Sequence, residues 1–212
     1  MTVDNTEQIK KLISGCAENE FYVVQILHRG KDDRTQFEPD DKKISVQTVK
    51  TYYVSSPEYL EYKMKEIRVL CDVFNARAYI NLNKKSWKQI NLKSLELIAK
   101  DISNECYHSL KSLVDTACGQ TGACDKNGSW IVDIDTKDMN EVHRIEDCVN
   151  KCSSKYDVNV IDIVPTLHGY HIISHPFNPV EFRKLYPENL DIHKNSPTLL
   201  YFKENEGKED NQ

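Results

Sequence analysis

The sequence predicts an α+β protein with an N-terminal α/β lobe over residues 1–118 and a C-terminal lobe over 129–202 in the order βαββαβ. Three observations carry that expectation. Residues 129–135 (SWIVDID) alternate apolar and polar positions and lead into an amphipathic stretch at 138–154. Two short apolar runs, 158–165 and 170–174, flank a tight Thr-Leu-His-Gly turn, which reads as a pair of hairpin strands. Asn178-Pro179-Val180-Glu181 is a capping box with proline at the first helical position, opening a short helix to Tyr186 before a last strand near Leu190.

The remaining elements follow in order. Residues 6–14 read as a short amphipathic helix with Ile9, Leu12 and Ile13 apolar and Gly15 as its stop. Strands are expected at 21–27 and 44–54, separated by a charged loop (RGKDDRTQFEPDDKK). Ser56-Pro57 opens a helix on which Leu60, Met64, Ile67, Cys71 and Phe74 share one face. Residues 77–83 (RAYINLN) form a strand with Ala78, Ile80 and Leu82 on one side and Arg77, Tyr79, Asn81 and Asn83 on the other. A single long helix is expected from about 92 to 117, burying Leu95, Ala99, Ile102, Cys106, Leu110, Leu113 and Ala117. The turn-rich stretch 119–128 marks the lobe boundary, and the tail 203–212, without apolar content, is expected to be disordered.

Composition bounds the class of function. Hydrophobic residues at 39% and charged residues at 29% describe an ordinary globular chain, and no run suits a membrane span. The polar N-terminus lacks the apolar core of a signal peptide, so a cytoplasmic location is expected. A net charge of −5 argues against a surface coated in cations for passive nucleic-acid binding, though one basic groove is compatible with it. Seven cysteines, an odd number, point to reduced thiols rather than a disulfide framework. Zinc is disfavoured: Cys118 and Cys124 lack the usual knuckle spacing, and Cys152 falls on the inner face of its helix with Cys148 beside it.

The chemistry concentrates in the C-terminal half. In SWIVDID, Trp130, Val132 and Ile134 face one way, while Ile131, Asp133 and Asp135 face the other. A βαββαβ sheet orders its strands 4-1-3-2, so the aspartate strand should lie between the strand bearing His171 and the strand bearing Asp191. Two or three carboxylates with open water positions suit Mg²⁺ or Mn²⁺, which prefer oxygen ligands and share them with substrate phosphates. A neighbouring imidazole can steady a polyphosphate. Clustered carboxylates repel, so at least one is expected to have a raised pKa. The plainer alternative, solvated aspartates on an open sheet face, would prevail for an isolated Asp-x-Asp pair.

These segments resemble the archaeo-eukaryotic primase superfamily, in particular the small primase and primase-polymerase cores of mobile elements. WIVDIDT resembles its first motif, with Asp133 and Asp135. LHGYHIIS resembles the second, with His171 as the histidine and Gly169 where serine is usual, and NLDIHKNSPTLLYF resembles the third, with Asp191. The likeness covers 129–202 and extends only loosely to 21–118. It implies an RRM-like catalytic lobe and a DNA-directed primase or primase-polymerase that transfers nucleoside monophosphates from NTP or dNTP to a 3′-hydroxyl on a single-stranded DNA template. Asp133, Asp135 and Asp191 would hold two Mg²⁺ or Mn²⁺ ions, and His171 would contact the triphosphate. A backbone amide at Gly169 would replace the missing hydroxyl, with His168 and Lys194 as further phosphate contacts. Arg77 and Tyr79 are candidates for holding the template strand. The small size suggests that a separate helicase or replication protein supplies unwinding. The alternative is a non-catalytic nucleic-acid-binding replication accessory protein with the same RRM-like fold. A haloacid-dehalogenase-type phosphatase also begins with Asp-x-Asp, but Lys137 stands where it needs Thr or Val.

Overall fold

A computed structural model of the chain describes residues 1–30, 46–122 and 128–204, apart from the side chains of His108 and Ser109. The described residues form a mixed α+β fold with two β-sheets. Strands β1 (Thr2–Asp4), β2 (Glu20–Arg29), β3 (Val46–Val54), β4 (Arg77–Ile80), β5 (Lys85–Ser86) and β10 (Thr198–Lys203) build the first. Its order is β1-β10-β4-β2-β3, with β5 paired to the start of β2. The second sheet contains β6 (Trp130–Ile134), β7 (Val160–Pro165), β8 (Tyr170–Ser174) and β9 (Ile192–His193), in the order β7-β8-β6-β9. All of its pairs are antiparallel. The aspartate strand therefore lies between the histidine strand and the short strand that follows Asp191.

Among the described residues, six helices support these sheets: α1 (Thr6–Leu12), α2 (Pro57–Val73), α3 (Trp87–Ser103), α4 (Leu113–Gln120), α5 (Met139–Asn150) and α6 (Pro179–Leu185). None is long and apolar enough to cross a membrane among the described residues. The start signals act as expected. Ser56 accepts from the Tyr59 amide ahead of Pro57, and Asn178 accepts from the Val180 and Glu181 amides ahead of Pro179. On α2, Leu60, Met64, Ile67 and Cys71 are buried against the first sheet. Helices α5 and α6 cover the other sheet with Val142, Ile145, Val149 and Phe182, packed on Val132, Ile134 and Ile172.

Several expectations need correction. The single helix over 92–117 is two helices and a 3-10 turn (His108–Ser112), broken where Glu105 takes a φ of 55°. Part of its expected inner stripe faces out, with Leu95 63% and Ile102 58% exposed, whereas Ala117 at its end is buried as expected. Trp87, Ile90 and Leu97 face the core instead, because Phe21 stacks on Trp87 at 4.0 Å between ring centroids and Tyr53 closes the cluster. Strand β1, which was not expected, pairs with β10, and Lys203, the first residue of the expected tail, ends that strand in register with Thr2. Strand β10 thus returns the chain from the second half into the first sheet. The charged loop at 31–43, Cys124 and the tail beyond Glu204 lie outside the described residues.

The aspartate face of the second sheet is not open along its length. Ile131, Val164 and Ile173 are buried in one cluster with Ile9, Ile13, Leu200 and Tyr201. Polar clamps fix the two sheets together. Asn5 donates to the carbonyls of Pro165 and Leu199, both at 2.8 Å, and Gln8 donates to the Ile163 carbonyl. Asn83 donates to the Ser129 carbonyl at 2.9 Å and accepts from its amide at 2.6 Å, tying the end of the 77–83 segment to the start of β6. Lys85 is buried and donates to the Thr121 carbonyl and to Asn195 Oδ1.

A candidate active site between the sheets

What the apolar packing leaves uncovered is a cavity of about 300 Å³ lined by both sheets. From the second come Asp133 and Asp135 of the β6 end, His171 of β8, His193 of β9 and the β7–β8 turn with Thr166, Leu167 and His168. The first contributes Arg29, Arg77, Tyr79 and Leu199. Alternation explains both walls. Asp133 and His171 are partners in register, so their side chains leave the sheet on one face. Leu27 is opposite Arg77 and Gln25 opposite Tyr79, which puts Arg29, two residues on from Leu27, on the same face as both.

His171 is the most constrained group. Its Nε2 lies 3.3 Å from Asp133 Oδ1, and its Nδ1 lies 2.9 Å from the hydroxyl of Thr198 in the first sheet. The expected repulsion among carboxyls does not govern Asp133. Its pKa is held below the ordinary value, chiefly by the His171 hydrogen bond, with the charges of His171 and His193 adding to this and burial opposing it. The hydrogen bond with His171 thus outweighs the desolvation that opposes it.

The opposite wall is aromatic and cationic. Arg77 is buried, not on the surface, and its guanidinium lies 5.0 Å from the centre of the Phe202 ring. Arg29 donates to the Tyr79 hydroxyl at 3.3 Å. Arg29 is the residue that sequence reasoning missed, because the charged stretch beginning there read as loop. Its signal was the Gln25-Leu27-Arg29 alternation, which continues β2 by one more step.

Not every expected residue reaches the cavity. The Asp191 carbonyl accepts from the Asp133 amide at 3.0 Å, continuing the register of His193 with Ile131, so Asp191 stands beside Asp133 on that face. It is nevertheless outside the cavity lining. Among the described residues, no group of three or more His, Cys, Asp or Glu side chains is gathered as a metal site. Among the described lining residues the carboxylates are those of Asp133 and Asp135, oxygen donors of the kind that suits Mg²⁺ or Mn²⁺ retaining waters and taking phosphate oxygens. Lys194 turns the other way, with its Nζ 4.9 Å from the Trp130 ring centre on the helix-facing side.

Gly169 also departs from expectation. Its amide donates to Thr166 Oγ1 at 3.1 Å, so it is engaged inside the turn rather than offered to a phosphate. A Cβ at this position would collide with the Ile134 carbonyl oxygen and sit 2.9 Å from Thr136 N. The turn therefore presses directly on the peptide that carries Asp135, and glycine is what permits the approach. Cys118 and Cys152 are buried in two separate cores.

No protein-family model, curated protein or solved structure matches the chain.

Proposed function

We propose that the chain is a nucleotidyltransferase of the primase or primase-polymerase type, with an RRM-like catalytic half of the archaeo-eukaryotic primase kind. One observation carries the reading: Asp133, Asp135 and His171 face Arg29, Arg77 and Tyr79 across a single cavity. Carboxylates on one wall and guanidiniums on the other suit a substrate that is both metal-bound and polyanionic, which an NTP or dNTP is. Pure strand binding gains nothing from carboxylates turned toward phosphates.

In the proposed reaction a 3′-hydroxyl oxygen attacks the α-phosphorus of the nucleotide. The new O–P bond forms as the bond to the bridging oxygen breaks, pyrophosphate leaves, and the hydroxyl proton is released to solvent. Asp133 and Asp135 would hold Mg²⁺ or Mn²⁺, with Asp191 as the adjacent third carboxylate, and a bound ion would supply charge neutralisation at the reacting phosphate. His171 turns its Nε2 edge toward the cavity and steadies the triphosphate, exchanging its contact with Asp133 for one with a phosphate oxygen. Arg29, Arg77 and His168 oppose the remaining negative charge. Tyr79 offers a ring to a base, and a single-stranded DNA template is the proposed partner, with unwinding left to a separate helicase or replication protein.

The test is incorporation of labelled nucleotides by purified protein with Mn²⁺ and a single-stranded template. Incorporation that is lost in Asp135→Ala, with template affinity nearly unchanged, supports the reading. The contact between Asp133 and His171, which engages one carboxylate oxygen inside the cavity, favours a second reading: a non-catalytic nucleic-acid-binding accessory protein. That reading predicts no incorporation of NTPs or dNTPs, and tighter strand binding once a carboxylate is removed.

A further inference from the structure

We infer that Thr198 is a positioning residue for His171, holding the imidazole from the opposite sheet so that its Nε2 edge stays turned toward Asp133 and the cavity. The inference deepens the reading above and rests on it for what the histidine is held to do. Thr198 opens β10, in register with Ile80 of β4, and its side chain is fully buried. Its hydroxyl is 2.9 Å from Nδ1 of a ring whose other nitrogen is 3.3 Å from Asp133. Among the described residues these two make the polar contacts to this ring, and they act on opposite edges.

The chemistry of the two neighbours assigns the protons. An ionised carboxylate only accepts, so Nε2 carries the hydrogen that faces Asp133. In the neutral ring Nδ1 is then an acceptor, and the Thr198 hydroxyl, which can play either role, donates to it. Without that hydroxyl the ring can rotate about its bond to Cβ, and the Nε2–H direction is no longer set. Because Thr198 belongs to the first sheet and His171 to the second, the same bond ties the direction of the imidazole to the way the sheets are docked. The sheets are otherwise joined by Asn5, Gln8 and Asn83, so removing one hydroxyl leaves the docking in place.

The experiment is nitrogen NMR of the His171 ring in full-length protein, at alkaline pH where imidazole is neutral, for wild type, Thr198→Val and Thr198→Ser. Valine keeps the branched shape that suits a strand and removes only the hydroxyl. Wild type and Thr198→Ser should show a protonated Nε2 and an Nδ1 resonance displaced upfield by an accepted hydrogen bond. Thr198→Val should return Nδ1 to the position of an unbonded nitrogen. A protonated Nδ1 in the wild type, which needs no variant to observe, overturns the inference. So does an Nδ1 resonance unchanged in Thr198→Val. In the incorporation assay Thr198→Val should raise the KM for nucleotide several-fold with a smaller change in kcat, because steadying the triphosphate acts on bound substrate and transition state alike. Thr198→Ser should restore the wild-type KM, and equal KM values for valine and wild type count against the inference. If no nucleotide is incorporated at all, the proposed function fails while the ring assignment is still decided by the spectra.

Discussion

Gly169→Ala is the perturbation with the largest expected effect on the site for the fewest atoms added. The new methyl group would stand 2.9 Å from both the Ile134 carbonyl carbon and the Thr136 nitrogen, and would overlap the Ile134 carbonyl oxygen. Unstrained contacts to carbon begin at about 3.5 Å, so the turn or the β6 end must retreat by on the order of 1 Å. Both sides of the collision are backbone, and neither can yield by rotating a side chain. The turn is further held by the Thr166 amide donating to the Gly169 carbonyl at 2.8 Å. Overpacking a well-filled site costs about 1–3 kcal/mol, and a backbone wall puts this case near the upper end. A loss of about 3 kcal/mol corresponds to a Tm lower by about 6–12 °C in a chain of this size. Urea unfolding of both proteins, with unchanged m values, measures the difference directly. Gly169→Ser, which installs the residue usual in the resembled motif, should lose a similar amount. A change within about 0.5 kcal/mol for the alanine variant, the range of an inconsequential surface substitution, would refute the reasoning.

Other consequences are independent of this one. His171→Ala should raise the Asp133 pKa toward the ordinary carboxylate value, since the His171 hydrogen bond is the largest cause of its depression; carboxyl-carbon NMR without divalent ions reads this, and an unmoved midpoint would count against it. A depressed folded pKa contributes stability above the unfolded value of about 3.9 that is lost as pH falls through the folded one. The wild type should therefore lose more stability than His171→Ala on acidification through that range, by an amount reduced by the partial exposure of Asp133. Asn83→Ala should cost about 2 kcal/mol, within the usual range for leaving buried polar partners unsatisfied, because it strands both the carbonyl and the amide of Ser129. A loss below about 0.5 kcal/mol on chemical denaturation would show that water replaces the side chain at no cost. Arg29→Ala should weaken nucleotide binding and flatten its salt dependence, as expected for a cation that opposes phosphate; an unchanged salt slope would remove Arg29 from the site.

The parts of the fold legible in the sequence are those set by local rules. Strand alternation put Asp133 and Asp135 on one face because a pleated strand has no other choice, and the caps at Ser56 and Asn178 set two helix starts. The second sheet's strand order also followed, since two short hairpin strands between helices leave few ways to pair. What was missed depends on distant partners. The pairing of Thr2–Asp4 with Thr198–Lys203 joins opposite ends of the chain, and the short, mostly polar β1 gives no pattern of its own. Helix α3 carries two apolar stripes, and periodicity cannot say which is buried. Phe21 and Tyr53, on other elements, select Trp87, Ile90 and Leu97 over Leu95 and Ile102. Gly169 shows the limit at the site itself. A small residue was legible there, but the pressure of Ile134 that requires glycine exists only once β6 and the turn are packed together.

The central claim is that the cavity takes a metal-bound nucleotide through Asp133 and Asp135. Calorimetric titration of a non-hydrolysable nucleoside triphosphate with Mn²⁺ into the full-length protein tests it most directly. The account predicts saturable binding at one site, abolished by chelating the metal and lost in a variant combining Asp133→Asn with Asp135→Asn. Binding that survives in that variant, or that is indifferent to the chelator, would contradict it.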